Sequence, residues 1–162
     1  MVCLLSDDAK EKSSNLVIRD CKNSDLARVY EIEKLSFGEP YPLSLFKKML
    51  EEYPTGFRVA EYDGLVQGYC VITRTRDEKV MLIASIAVHP DFKKHGVASV
   101  LIQDAVSRIR ALEPKAARLV LQVSVDNIAA QTLYAKSGFT YKHEIKNYYG
   151  RNRDAFEMEL EL

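Results

Sequence analysis

The sequence predicts one α/β domain, in the broad α+β sense, with a mixed central sheet of about seven strands flanked by about four helices. Apolar runs of strand length alternate with amphipathic segments of helical length. The Asp63-Gly64 pair between two such runs favours a hairpin, because this dipeptide supplies the positive φ that tight turns need. An uninterrupted apolar run over 118–125 is typical of a central strand. At 162 residues, the chain has the length of one domain.

The first third of the domain is predicted to form one strand and two helices. Residues 16–21 carry a strand signal, and the polar residues at 23–25 can cap the helix that carries 26–35. Glycine and proline interrupt the helical pattern over 36–42 because both residues disfavour helix. The pattern resumes over 43–53, which predicts the second helix.

Three strands and a long helix are predicted next. The hairpin joins strands over 56–62 and 65–74, and a turn at 76–79 leads into a strand over 80–88. The helix predicted over 96–112 has apolar residues at i, i+4 spacing along one face. That face should pack against the sheet.

The C-terminal third is predicted to end the sheet. A helix over 127–137 follows the apolar strand at 118–125, and Gly138 ends it. Two strands, about 139–147 and 154–161, close the domain. The predicted order is therefore β-α-α-β-β-β-α-β-α-β-β.

Charge and cysteine content exclude several classes of protein. Lys+Arg and Asp+Glu balance at 23 each, so no global field recruits nucleic acid or an anionic membrane. Residues 1–14 have a short apolar start followed by charges, which predicts a flexible tail before a domain at 15–162. This pattern predicts neither a signal peptide nor a membrane span. The three cysteines, Cys3, Cys21 and Cys70, lack metal spacing, which predicts no metal and the reduced thiols of a cytoplasmic protein.

A basic turn between a predicted strand and a predicted helix can bind an anion. At a helix start, main-chain N–H groups lack intrahelical partners and the helix dipole favours negative charge. Gly96 lets a ligand approach the backbone, and Lys93 adds positive charge. The N–H groups concerned are those of Lys94, His95, Gly96, Val97 and Ala98. An ordinary connection with solvated lysines explains the same residues, so this segment alone leaves both interpretations open.

Two segments together carry a resemblance to a known superfamily. IAVHPDFKKHGVA (86–98) resembles the coenzyme-binding motif Gln/Arg-x-x-Gly-x-Gly/Ala of the GNAT superfamily of N-acetyltransferases, with Lys93 at the first motif position. LQVSVDNIAAQTLYAKSGF (121–139) is similar to the strand-Asn-helix-Tyr-x-x-x-Gly-Phe stretch of the same superfamily. LSFGEPYP and the Tyr148-Tyr149 pair resemble a narrower class, the ribosomal-protein alanine (Rim-type) and archaeal Ard-type acetyltransferases.

The resemblance implies an activity and a coenzyme. The expected reaction transfers an acetyl group from acetyl-CoA to the α-amino group of protein or peptide N-termini, by direct attack on the thioester. An acetyltransferase for a small-molecule amine and a non-catalytic acetyl-CoA-binding module are the alternatives. The residues expected to bind the coenzyme are Ile86, Ala87, Val88, Lys93, Lys94, His95, Gly96, Val97, Ala98, Asn127 and Tyr134.

Acetyl transfer needs an oriented thioester, a neutral amine, a donor for the developing oxyanion and a proton for the departing thiolate. The resemblance makes the Val88 N–H the oxyanion donor, with plain sheet pairing as the alternative. It makes Tyr134 the general acid, since a phenol can protonate a thiolate, with a buried structural tyrosine as the alternative. Asn127 is expected to cap its helix, to bind the pantetheine arm, or to do both.

The proton acceptor is less obvious from the sequence. Relatives in the narrower class commonly have Glu or His at the position of Gln122, and an amide cannot abstract a proton near neutral pH. We expect Glu39 to accept the proton, directly or through water; a solvated loop carboxylate or a helix cap is the alternative. His89, His95 and His143 rank below Glu39.

The chemistry of amines favours an amino terminus as substrate. An α-amine with a pKa of about 7.8 is roughly 15% neutral at pH 7, whereas a lysine side chain is about 0.04% neutral. A site with a poor base therefore suits an α-amine. The residues expected to line a slot for the peptide are Phe37, Glu39, Tyr41, Tyr148 and Tyr149, although aromatic residues are as often part of a core.

Overall fold

A computed structural model describes residues 15–162, so the tail predicted at 1–14 lies outside the described residues. The predicted order of strands and helices is confirmed, and every bound agrees within one or two residues. The elements are β1 (Leu16–Asp20), α1 (Leu26–Ser36), α2 (Leu43–Glu52), β2 (Phe57–Tyr62), β3 (Leu65–Arg74), β4 (Val80–Val88), α3 (Val97–Leu112), β5 (Arg118–Ser124), α4 (Ile128–Lys136), β6 (Thr140–Ile145) and β7 (Ala155–Glu161).

The strands form one mixed sheet in the order β1-β2-β3-β4-β5-β7-β6. β4 and β5 are parallel, and the other neighbours are antiparallel. β4 pairs with β5 only over 80–82 and 118–120, although β4 continues to Val88 and β5 to Ser124. The two central strands therefore separate beyond these pairs, and we call the opening between them the central gap.

An irregularity in β4 lies close to the point where the strands separate. The register with β3 shifts between Val71 and Ile72, which leaves Ala84 as an extra residue in β4. A bulge of this kind bends the strand that carries it. The bend therefore helps to direct the end of β4 away from β5.

The helices cover the sheet unequally. α3 and α4 pack on one face, and the buried residues of α3 include the apolar stripe predicted from the sequence: Val97, Leu101, Ala105 and Ile109. α1 and α2 pack on the opposite face, where the core contains residues of β2, β3 and β4 but none described from β5, β6 or β7. We call this second surface the α1/α2 face. Its β5–β7 half is left open.

The two cysteines that the structure describes lie in the core. Cys21 and Cys70 are buried free thiols, and burial raises the pKa of each to about 12. Within residues 15–162, no group of side chains has the composition and spacing of a metal site. In the same range, no helix is both long and apolar enough to cross a membrane.

Candidate active site

The basic turn predicted to bind an anion leads directly into α3. Gly96 is the N-cap of α3 and has φ +79°, and the first helical hydrogen bond runs from Val100 N–H to Gly96 O at 3.1 Å. Within the described chain, the N–H groups of Gly96, Val97, Ala98 and Ser99 have no acceptor. These donors can bind a phosphate group without breaking any hydrogen bond of the fold.

The surroundings of this turn, Lys93–Ala98, also fit an anion. Lys93, Lys94 and His95 are exposed, and the first turn of α3 contains no acidic residue. A Cβ atom added at Gly96 would meet no atom within 4 Å, so the backbone faces open space. The pyrophosphate of a coenzyme can therefore approach closely. We call Lys93–Ala98 the coenzyme turn.

The N–H group of Val88 points into the central gap. The bond from His89 N–H to Gln67 O, at 2.7 Å, makes residues 89 and 67 a hydrogen-bonded pair of the β3–β4 ladder. Hydrogen-bonded and non-hydrogen-bonded pairs alternate in an antiparallel ladder, so the next pair, Val88 with Gly68, is not hydrogen-bonded. The main-chain groups of Val88 are therefore directed away from β3 and towards β5.

The same reasoning applies to Gln122 on the other side of the gap. Val125 N–H donates to Asp154 O at 3.2 Å and Leu162 N–H to Ala117 O at 2.9 Å. These pairs fix the alternation along β5 and β7, and the pair of Gln122 with Glu157 is not hydrogen-bonded. The carbonyl group of Gln122 thus points towards β4.

Tyr134 of α4 lies in the core on the α3 side of the sheet, where 8% of its surface is exposed. Its ring packs edge-on against Phe139, with centroids 6.0 Å apart. Its hydroxyl group makes no hydrogen bond to any residue in 15–162. Burial raises the pKa of Tyr134 well above its ordinary value, and Cys70 and Tyr149 contribute in the same direction. The phenol therefore carries its proton at neutral pH.

Asn127 caps α4, as one of the two interpretations from the sequence predicted. Its Oδ1 accepts a hydrogen bond from Ala130 N–H at 3.1 Å. The side chain is exposed at the end of β5, so its amide N–H groups remain accessible to a ligand.

Two loops border the open half of the α1/α2 face. Residues 37–42 connect α1 to α2, and residues 146–154 connect β6 to β7; we call the second segment the tyrosine loop. The rings of Tyr148 and Tyr149 lie edge to face with centroids 4.8 Å apart. The Tyr148 hydroxyl donates to Gln122 Oε1, and the Tyr149 hydroxyl donates to the Gln122 carbonyl oxygen, each at 3.2 Å. The tyrosine loop therefore lies directly over β5.

These tyrosines are partly withdrawn from water. Burial raises the pKa of Tyr149 to about 12, and it raises the pKa of Tyr148 and of Tyr41. Phe37 and Tyr41, in the loop between α1 and α2, are also partly exposed, at 40% and 37%. The predicted slot residues thus belong to the two bordering loops.

We call the space between the two bordering loops, above the open half of the α1/α2 face, the cleft. Glu39 lies at its rim. Its Oε1 accepts a hydrogen bond from Arg153 Nη2 at 2.7 Å, and its side chain is 75% exposed. The ion pair joins the loop between α1 and α2 to the tyrosine loop. Glu39 is thus well placed to hold the two loops together.

Two glutamates that sequence reasoning did not select lie on the α1/α2 face. Glu33 is 2% exposed, and Glu157 is partly buried beside Gln122. A signal existed for Glu33, which follows Val29 at i+4 on the apolar face of α1, where a charged residue is unusual. Glu157 alternates with buried Met158 along β7, which is an ordinary position for a charged residue, so the sequence did not distinguish it.

A mixed sheet whose central strands separate beside a helix start with free N–H groups is the architecture of a coenzyme A-dependent acetyltransferase. The profile of the Acetyltransferase (GNAT) family matches residues 26–139, and the chain belongs to this family. A Sulfolobus acidocaldarius protein named N-alpha-acetyltransferase is 30% identical over 98% of this chain and 99% of its own length. A Bacillus subtilis protein named as a candidate ribosomal protein bS18-alanine N-acetyltransferase is 36% identical over 87% of this chain and 92% of its own.

The fold has a similar counterpart among solved structures. Ard1 from Thermoplasma volcanium superimposes with a TM-score of 0.85 and 29% identity, covering 91% of this chain and 98% of Ard1. The fold and the family predicted from the sequence are therefore confirmed. The roles of individual site residues stay predictions.

Proposed function

We propose that this protein transfers the acetyl group of acetyl-CoA to the α-amino group of protein N-termini. The observation that carries the proposal is the central gap, because one side of the sheet offers the coenzyme turn and Tyr134, and the other offers an open cleft. A peptide end can enter this cleft between the two bordering loops. The names of the relatives support this substrate class.

The residues have separate tasks in this reaction. The coenzyme turn binds the pyrophosphate with its free N–H groups, and acetyl-CoA supplies the thioester as substrate. The Val88 N–H is directed to the gap, where it can stabilise negative charge on the carbonyl oxygen of that thioester. Tyr134 retains its proton at neutral pH and can give it to the departing sulfur.

The substrate end of the cleft selects its substrate by the shape of the peptide and by the protonation state of the amine. Phe37, Tyr41, Tyr148 and Tyr149 line the entrance and can contact the first residues of an extended peptide. An α-amine near pH 7 is neutral in roughly 15% of molecules, so it reaches the site in reactive form far more often than a lysine side chain does. We also infer a cytoplasmic location, because Cys21 and Cys70 are free thiols.

A peptide panel tests the proposed function. Purified protein is incubated with acetyl-CoA and with peptides of varied N-terminal residues, small amines and an N-blocked lysine peptide, and thiol release is measured. We expect turnover with free N-termini and a rate at least tenfold lower with the blocked peptide. Turnover with small amines alone would assign the reaction to another substrate class, and thiol release with none of them would contradict catalysis.

The coenzyme turn offers a matched pair of variants. Gly96 and Gly64 both have φ +79° and both face open space, but only Gly96 lies at the start of α3. Gly96→Glu and Gly64→Glu should each lower the unfolding free energy by about 1–2 kcal/mol, since a side chain strains this backbone conformation. Only Gly96→Glu should abolish acetyl-CoA binding in calorimetry. Equal coenzyme affinity in the two variants would remove the basis of the proposal.

A further inference from the structure

The open half of the α1/α2 face contains one carboxylate at its centre. Glu157 of β7 lies directly across from Gln122 of β5, and Gln122 Nε2 donates to Glu157 Oε2 at 3.1 Å. The pair is not hydrogen-bonded through the main chain, and side chains of such pairs approach each other most closely. His143 of β6 faces Glu157 from the other side. These three residues form one row across the sheet, on the cleft floor.

This floor is open along the sheet. Gln122 and Glu157 line a groove of about 450 Å³ that continues past Leu82 and Val120 to Arg118 and the turn at 75–77. The Tyr148 hydroxyl is bonded to the same Gln122 side chain at 3.2 Å. Gln122 thus contacts both the Tyr148 hydroxyl and the Glu157 carboxylate. Burial raises the pKa of Tyr148, and the nearby groups Tyr41 and Glu157 contribute in the same direction.

Two other carboxylates of this face are already engaged. Glu33 of α1 is buried against the sheet and accepts hydrogen bonds from Tyr41 N–H at 2.9 Å and from Ser85 Oγ at 3.2 Å, as well as from the Tyr69 hydroxyl. Glu39 is exposed at the rim and paired with Arg153. 

Glu159 lies two residues after Glu157 on β7 and, unlike Glu157, is paired with cationic side chains. It is paired with Lys142 at 3.0 Å and with Arg118 at 3.7 Å. Within residues 15–162, no cationic side chain forms an ion pair with Glu157. Its carboxylate is therefore the one on the cleft floor that can accept a proton or bind an ammonium group.

We propose that Glu157 accepts the proton that the substrate α-ammonium group loses before attack, and that Gln122 positions its carboxylate. This inference rests on the proposed function. Two protons leave the nitrogen in all. The first passes to Glu157 and on to solvent, and the second passes to solvent as the C–N bond forms. The C–S bond breaks, the sulfur takes the proton of Tyr134, and Tyr134 regains a proton from solvent, so one proton is released in all.

The test is the pH dependence of Glu157→Gln, which preserves the shape of the side chain. Because roughly 15% of an α-amine is neutral at pH 7 without any base, kcat/KM at pH 7 should fall about tenfold rather than to zero. The loss should shrink as pH rises through the α-amine pKa near 8. The ionisable groups near Glu157 include His143 on β6, Glu159 on β7, and Tyr148 in the tyrosine loop with Tyr41 beside it. Arg118 on β5 and the turn residues Arg76 and Asp77 line the same groove.

An exchange variant separates proton transfer from structure. Gln122→Glu combined with Glu157→Gln keeps one carboxylate and one amide in the same pair, on opposite strands. This double variant should recover most of kcat/KM at pH 7. Glu159→Gln, on the same strand and face, is the control and should leave the pH profile unchanged.

The outcomes distinguish this inference from the proposed function. A wild-type protein that acetylates no peptide would contradict the proposed function itself. Where the wild type is active, a Glu157→Gln enzyme with an unchanged pH profile would overturn the inference, and a matching loss in Glu39→Gln alone would assign the proton to Glu39. If Glu157→Gln lowers coenzyme affinity or the melting temperature, the double variant shows whether the loss of rate comes from the missing carboxylate or from the altered structure. Recovery of stability without recovery of rate would overturn the role of Glu157.

Discussion

Glu33 and Glu157 lie on the same face of one sheet, yet their surroundings differ in nearly every respect. Glu33 lies in the half covered by α1 and α2 and accepts hydrogen bonds from three neighbours. Glu157 lies in the uncovered half and, among residues 15–162, has a single side-chain partner, the neutral amide of Gln122. The central gap separates the two halves.

The contrast shows how a fold assigns different work to the same residue type. A buried carboxylate that accepts several hydrogen bonds stabilises the groups that donate to it, because each donor would otherwise be buried without a partner. A carboxylate with free acceptor positions beside a cleft can act on a substrate. We therefore expect stability to depend on the covered half, and catalysis on the open half and the adjoining gap.

The largest effect should come from removing the carboxylate of Glu33 in the covered half. Glu33→Ala leaves the Tyr69 hydroxyl, the Ser85 hydroxyl and the Tyr41 N–H without their acceptor, which should lower the unfolding free energy by about 3 kcal/mol. Glu157→Ala should lower it by about 1 kcal/mol or less. Urea unfolding of both variants measures the difference. Equal losses of unfolding free energy in the two variants would contradict the difference between the covered and the open half.

Tyr134→Phe should affect catalysis and leave stability nearly unchanged. Its hydroxyl has no hydrogen-bond partner among the residues described, so the fold loses little, but the proton donor is gone. We expect kcat to fall by about 10²-fold, or about 2.7 kcal/mol, with coenzyme affinity preserved. Tyr141→Phe, at an exposed position on β6, is the control for the same chemical change. A destabilised Tyr134→Phe with normal kcat would make Tyr134 structural.

The smallest effect concerns the rim. Arg153→Ala removes the ion pair with Glu39, and exposed pairs of this kind contribute less than about 1 kcal/mol to stability. The two bordering loops would be held together less well, so KM for peptide should rise a few-fold while kcat and coenzyme affinity stay constant. Arg151→Ala, in the same loop, should change neither constant. Steady-state kinetics at low and at high salt measure the effect, which should disappear at high salt.

Local signals were sufficient for the secondary structure. The cap and breaker residues around α1 and α2, the Asp63-Gly64 turn and the apolar stripe of α3 act within a few positions of themselves, so the sequence displays them directly. The start of α3 at Gly96 was predictable for the same reason, since a glycine with positive φ begins that helix. 

The site depends on pairings that the sequence does not display. Gln122 and Glu157 are 35 positions apart, and Glu39 and Arg153 are 114 apart. The register of β5 against β7, and the position of the tyrosine loop, bring these side chains together only in the folded sheet. The proton acceptor predicted from the sequence, Glu39, was chosen without knowledge of its partner Arg153, and its role stays a prediction.

The central gap also has a consequence for the dynamics of the sheet. Ile86 and Val88 belong to non-hydrogen-bonded pairs with β3, and no strand in the described chain pairs with them on the other side. Their amide hydrogens should exchange with solvent much faster than that of Ala87, which donates within the ladder. The middle of this sheet therefore has the exchange behaviour of an outer edge. A ligand whose amide groups align with β4 should slow exchange at Ile86 and Val88 and leave that of Ala87 unchanged.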